Sequence, residues 1–191
     1  MNPNENLNDV NEILESINRV LSRGVKDRHS DYHTFSVATS DDNLVNNRTV
    51  VLREFNHDKK YLCYHTNFSS EKISELKKNN NIACLFYSKK DKIQIRINGK
   101  AQINNNNQLC EQKWKTMSDL SKLCYFQNHN PGRKIANPNE VKQSPNDSMS
   151  KLFTIINVDI EKIDWLYLSR HGHKRAFFLK KNNFDGYWVA P

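Results

Sequence analysis

In DVNEILESINRVLSR, residues 9–23, the apolar positions Val10, Ile13, Leu14, Ile17, Val20 and Leu21 recur at three- and four-residue spacing. That spacing lines one face of an α-helix and leaves the other face polar. Asn8 or Asp9 stands at the N-cap, and Gly24 follows the last apolar turn as a stop. The period then changes. YHTFSVAT (32–39), RTVVLREF (48–55), KYLCYHT (60–66), IACLFYS (82–88) and KIQIRINGKAQI (92–103) are short and rich in β-branched and aromatic residues, and turn residues separate them. These segments predict strands. SSEKISELKK (69–78) predicts a short helix among them, 106–126 reads as one or two helices, and 127–150 reads as a long polar loop. Strand signals resume with LFTIINV, IDWLYL, AFFLKK and GYWVAP.

Closely spaced strands with few helices predict a mainly β protein, a β-barrel or curled antiparallel sheet. The 191 residues read as a single domain, with 1–24 as a leading helix and 150–191 as closing strands. No apolar run is long enough to span a bilayer, and the polar start MNPNENLND lacks a signal-peptide core, so a cytoplasmic protein is expected. The four cysteines form no CxxC or Cys/His cluster, which gives no reason to expect a metal. YLCYH, IACLF and KLCYF suggest that Cys63, Cys84 and Cys124 are buried thiols. The net charge of +8 fits an anionic partner. Nucleic acid is disfavoured, because the basic residues are spread along the chain and no RNA-binding motif appears.

Several segments carry candidate chemistry. In NNRTVVLREF, strand alternation sends Arg48, Val50 and Leu52 to one face and Thr49, Val51 and Arg53 to the other. In YHTNFSSEKISEL, Ser69 or Ser70 caps a helix whose first turn carries Lys72. A helix N-terminus with a lysine is a ready anion site, although simple capping explains the serines equally well. In KIQIRINGKAQI, Gln94, Arg96 and Asn98 share the face opposite Ile93, Ile95 and Ile97. In WLYLSRHGHKRAFFL, Arg170, His171, His173, Lys174 and Arg175 crowd around Gly172 behind Trp165. This cluster is either an exposed hairpin turn or the rim of an anion pocket.

Taken together, the segments resemble the pyridoxamine 5′-phosphate oxidase family, whose fold is the FMN-binding split β-barrel. The likeness runs in collinear order over residues 30–103 and 150–191. It rests on RTVVLR, HTNFSSEK, QIRINGKA, the W…RHGHKR segment and the terminal WVAP. It implies that Arg48 and Lys72 contact the FMN phosphate with Ser70 beside them, and that the backbone of Val50 and Val51 lines the flavin ring. His65 stands where the family has a tyrosine, followed by the matching Thr66. Gln94 matches a glutamine that reaches the flavin from the partner subunit, so a homodimer is implied. Trp165 and Arg175 match the tryptophan and arginine of the FMN site, which makes the hairpin a pocket rim.

The departures are specific. Arg53 replaces a lysine near flavin and substrate, so a planar fork replaces a point ammonium. Glu71 replaces an arginine beside the phosphate and is expected to point away from it. His173 keeps its place among the substrate-phosphate residues, and His171 stands where an arginine is expected. Trp114 stands for a tyrosine, while Ser118 lies near the position of a missing arginine. The implied activity is that of an FMN-dependent oxidoreductase, its flavin accepting a hydride from a small, possibly phosphorylated amine or alcohol. Arg53, Trp114, His171 and His173 are the substrate contacts. The alternative is a flavin-binding protein with a different substrate, or a stress-related one without turnover.

Overall fold

The computed structural model describes residues 7–41, 44–143 and 147–191. The first six positions of the expected leading segment 1–24 and positions 144–146 of the expected loop lie outside these. Helix α1 spans Val10–Lys26, and the Asp9 carboxylate caps it by accepting from the Asn11 amide at 2.8 Å. Ile13, Ile17 and Leu21 are buried along the face predicted from the spacing. Gly24 does not end the helix. It lies inside it, where a Cβ would fall 2.5 Å from the Tyr32 carbonyl oxygen, so the glycine permits close packing rather than a turn.

The strands are β1 (Thr34–Ser40), β2 (Val45–Val51), β3 (Glu54–Asn56), β4 (Tyr61–Asn67), β5 (Asn81–Ser88), β6 (Ile93–Asn105), β7 (Phe153–Tyr167), β8 (Lys174–Leu179) and β9 (Gly186–Val189). Helix α2 (Glu71–Lys78) lies between β4 and β5, while α3 (Gln108–Thr116) and α4 (Asp119–Lys122) follow β6. All pairings are antiparallel, in the order β2-β1-β5-β6-β7-β4-β3, with β8 and β9 continuing from β7. The protein is mainly β, as the sequence predicts.

Three expected strands need correction. The segment 48–55 is broken at Leu52 and Arg53. The Leu52 amide donates to His33 at 2.8 Å and the Arg53 amide to Cys63 at 2.9 Å, so the chain changes partner from β1 to β4 here. Conversely, the two strands expected within 152–168 are one, β7. One edge of β7 is covered by β6 throughout. Its other edge is shared, by β4 up to Asp159 and by β8 from Lys162. The register against β6 shifts at Asn98/Gly99, where β7 changes partner. Gly99 is required there, because a Cβ would stand 2.2 Å from the Asp159 carbonyl oxygen.

The inner face carries Phe35, Val37, Tyr64, Phe86, Ile95, Ile97, Trp165 and Phe178, closed at one side by α1. A second cluster, Cys63, Cys110, Tyr125, Phe153 and Ile155, seats α3 on the opposite face of β4 and β7. Cys124 is exposed and Cys110 is buried, so the sequence reading of Cys124 as a core thiol fails. Cys124 sits in a short 3-10 turn, where apolar neighbours do not fix which way a side chain faces. The long polar segment is not featureless: Gln127 bridges Gln143, and Asn137 and Glu140 form a capping box. Among the described residues, no helix is long and apolar enough to cross a membrane.

Candidate functional site

The end of β4 and the start of α2 build a cationic cradle. Asn67 turns the chain by accepting the Ser69 amide at 2.8 Å on its side chain and the Ser70 hydroxyl at 2.6 Å on its carbonyl. That bond holds the Ser70 hydroxyl away from capping duty, and Ser70 makes no side-chain cap on α2. Lys72 Nζ donates to Thr66 Oγ1 at 3.0 Å and to Ser70 Oγ at 3.2 Å. Burial, then repulsion from nearby Arg48, lowers the Lys72 ammonium below its ordinary value. A cation that is desolvated, crowded by a second cation and placed at a helix N-terminus suits a phosphate dianion. These residues therefore fit the phosphate of FMN. Glu71 is exposed.

Arg48 stands behind the cradle on the inner face. It pairs with the buried Glu75 at 3.1 Å and donates to the Asn46 carbonyl at 3.1 Å and to the Thr39 hydroxyl. Burial alone would raise the Glu75 carboxyl, but hydrogen bonds from Thr39 and Asn46 and the charge of Arg48 hold it below the usual range. Sequence reasoning missed Glu75, since nothing in SSEKISEL marks a buried glutamate among exposed ones. Val50 packs on the core beside Arg48, and Val51 ends β2 half-buried. The Tyr64 hydroxyl is buried with no hydrogen-bond partner.

On the other face of β4, a cavity of about 370 Å³ is lined by Arg53, His65, Lys113, Met117, Ser121 and Tyr125 among others. Sequence reasoning named Arg53 and His65 and missed Lys113. Its helical neighbour Trp114 is turned into the aromatic cluster, edge-on to Tyr125 at 5.7 Å and tilted on Phe153 at 5.7 Å. Lys113 is fixed by Glu54 at 3.1 Å, and Glu54 also accepts from the Tyr61 hydroxyl. Burial, followed by the charges of Arg53 and Lys113, lowers His65 from 6.5 to about 4, so its imidazole is neutral near pH 7. The cavity thus offers two cations and a neutral ring, edge-on to Phe153 at 4.8 Å. Ser118 caps α4, and its hydroxyl hydrogen-bonds that of Ser121 at 2.9 Å.

The remaining candidates gather elsewhere. Gln94, Leu166 and Arg175 stand side by side on β6, β7 and β8, on the outer face of the sheet. Trp165 pairs with Ala176 instead, so it faces inward, fully buried and stacked on Tyr167 at 6.3 Å. Trp165 and Arg175 therefore occupy opposite faces of the hairpin. Gly172 turns the hairpin with φ at 119°, and His171 and His173 are exposed on it. His173 Nδ1 accepts from the Ser169 amide at 3.0 Å, which places any proton of the neutral ring on Nε2. From Ile155, beside His65, to Leu166, beside Arg175, β7 runs about 35 Å of strand at ~3.3 Å per residue. A single chain thus places Arg48, Thr66, Ser70 and Lys72 on the inner side of β4, Arg53 and His65 on its other face, and Gln94 and Arg175 in a separate region.

Fold and cradle together define the class: a split-barrel protein whose cradle fits the phosphate of FMN. Residues 14–105 match the family described as pyridoxamine 5′-phosphate oxidase, FMN-binding domain. A pyridoxine/pyridoxamine 5′-phosphate oxidase of Pelagibacter ubique (strain HTCC1062) is 35% identical over 83 residues, which are 43% of this chain and 39% of that protein's length. Among solved structures, a pyridoxamine 5′-phosphate oxidase-related FMN-binding protein of Nostoc punctiforme PCC 73102 superposes with a TM-score of 0.75 at 19% identity, covering 93% of this chain and 96% of that one. PhzG of Burkholderia lata 383, in complex with tetrahydrophenazine-1-carboxylic acid, gives 0.72 at 13% identity, covering 98% and 95%. At these identities the two structures establish the fold.

Proposed function

We propose that the protein is an FMN-dependent oxidoreductase, active as a homodimer, acting on a small amine or alcohol that carries an anionic group such as a phosphate. The observation that carries this reading is the adjacency of cradle and cavity. His65 and Thr66 are consecutive on β4, so one strand serves the phosphate cradle with Thr66 and the cationic cavity with His65. When bound, FMN supplies a two-electron acceptor. The chain's own part is placement. Lys72, Thr66 and Ser70 hold the phosphate, with Arg48 adding charge from behind. Arg53 and Lys113 attract the anionic end of a substrate, and neutral His65 accepts or donates a hydrogen bond without adding a third charge. The second subunit would bring Gln94 and Arg175, with the His171/His173 hairpin, to the half-site that one chain leaves open.

A second reading, flavin binding without oxidation of this substrate class, draws on one observation: Trp114 is packed away and no arginine stands at Ser118. One cuvette separates the two. The purified protein should show flavin bands, release FMN on denaturation and sediment as a dimer. Anaerobic pyridoxamine 5′-phosphate should then bleach the bands. Bands that persist with every donor favour the second reading, and a colourless protein that FMN cannot reconstitute refutes both.

A further inference from the structure

Asp164 is the buried carboxylate of the outer sheet face, and no motif of the family resemblance includes it. Its side chain is 4% exposed and accepts from two arginines at once. Arg175 binds it in a fork, Nε to one oxygen at 3.0 Å and a terminal nitrogen to the other at 2.9 Å. Arg96, from β6, pairs with the same carboxylate from the other side. Burial alone would raise the Asp164 carboxyl, but the bonds from Arg175 and Arg96 outweigh it and keep the group ionised. The triad lines the cavity of about 420 Å³ on the outer face, together with Lys162, Asn98 and Asn47. Lys162 and Arg175 both lie against the Phe177 ring, at 3.7 and 5.0 Å from its centroid, which fixes the guanidinium from a second side.

We propose that Asp164 is a positioning residue: it locks the plane of the Arg175 guanidinium so that its remaining amino group is presented to the anionic cofactor. This rests on the reading that Arg175 meets FMN. The fork engages Nε and one terminal nitrogen of Arg175, leaving the other for a ligand. A planar donor held by two parallel hydrogen bonds and an aromatic face loses little freedom on binding. Arg96, as the second partner, keeps the local charge positive although a carboxylate sits at its centre.

The sign of one substitution separates positioning from simple charge. Asp164→Asn removes a negative charge from a site meant for an anion, so bulk electrostatics alone predicts tighter FMN binding. Positioning predicts weaker binding, because an amide cannot accept the fork at both positions. FMN affinity, measured by flavin fluorescence on the full-length protein, should fall about tenfold for Asp164→Asn, equivalent to one charge-assisted hydrogen bond. In an Arg175→Met background the same substitution should change nothing further, since it acts only through Arg175. Tighter binding by Asp164→Asn, unchanged binding, or an equal loss in the Arg175→Met background each overturns the proposal. If Arg175→Met alone leaves FMN affinity intact, the placement of Arg175 at the cofactor fails instead, and the proposal falls with it. Melting of the apo variants, followed in parallel, distinguishes a lost fold from a lost orientation.

Discussion

Replacing Lys72 by methionine tests the cradle directly. The substitution keeps most of the aliphatic stem, and with it the packing over α2, while removing the ammonium that bridges Thr66 and Ser70. A bound phosphate dianion would lose one charge-assisted hydrogen bond worth about 1.5–3 kcal/mol. That corresponds to a roughly tenfold to hundredfold weaker FMN complex. Riboflavin, which lacks the phosphate, should bind wild type and variant equally. The apo protein should melt no lower, because burial and Arg48 already make the charged form of Lys72 costly in the fold. Flavin fluorescence titrations with both ligands give the ratio that matters. If the FMN-to-riboflavin preference of Lys72→Met equals that of wild type, the phosphate is held elsewhere and the cradle argument is wrong.

Three further outcomes follow from local physics. His65 binds a proton near 6.5 when unfolded and near 4 when folded, so between those values unfolding takes up a proton and acid favours the unfolded chain. The stability lost between pH 7 and 4 should therefore be about 3 kcal/mol smaller in His65→Gln, as read by urea titrations at each pH, and parallel curves would refute the shift. Tyr64→Phe should be neutral or stabilising by about 1 kcal/mol, since the buried hydroxyl has no partner to lose, and clear destabilisation would show that it has one. Gly99→Ala should cost about 1–3 kcal/mol through the clash with the Asp159 carbonyl, and an unchanged melting temperature would mean that the bulge relaxes freely.

What the sequence discloses depends on whether a signal is local. The face of α1 and the alternation of β5 and β6 are legible because a single period runs through each. β7 reads as two strands because Asp159, Glu161 and Lys162 interrupt the apolar run, and only pairing with β6 shows that the chain continues through them. The cradle is legible in HTNFSSEK because its members are close in sequence and stay close in space. Lys113, Glu75 and Asp164 are not, because each takes its role from a partner on another element: Glu54, Arg48 and Arg175 respectively. Trp165 and Arg175 show the converse. Their spacing is plain in the sequence, but the hairpin register that puts them on opposite faces is not.

The long strand β7 also sets an order of events during synthesis. β2, β1, β5 and β6 pair among themselves, so a sheet of these strands can assemble once residue 105 has emerged. β3 and β4 form a hairpin of their own, whose link to that sheet through strand pairing runs by way of β7. Until residues 153–167 leave the ribosome, β4 and β6 each present an unsatisfied edge, the kind of surface that pairs with neighbouring chains. β7 therefore acts as a late stitch, and the nascent protein passes through a half-built stage in which holdase chaperones have two sticky borders to cover.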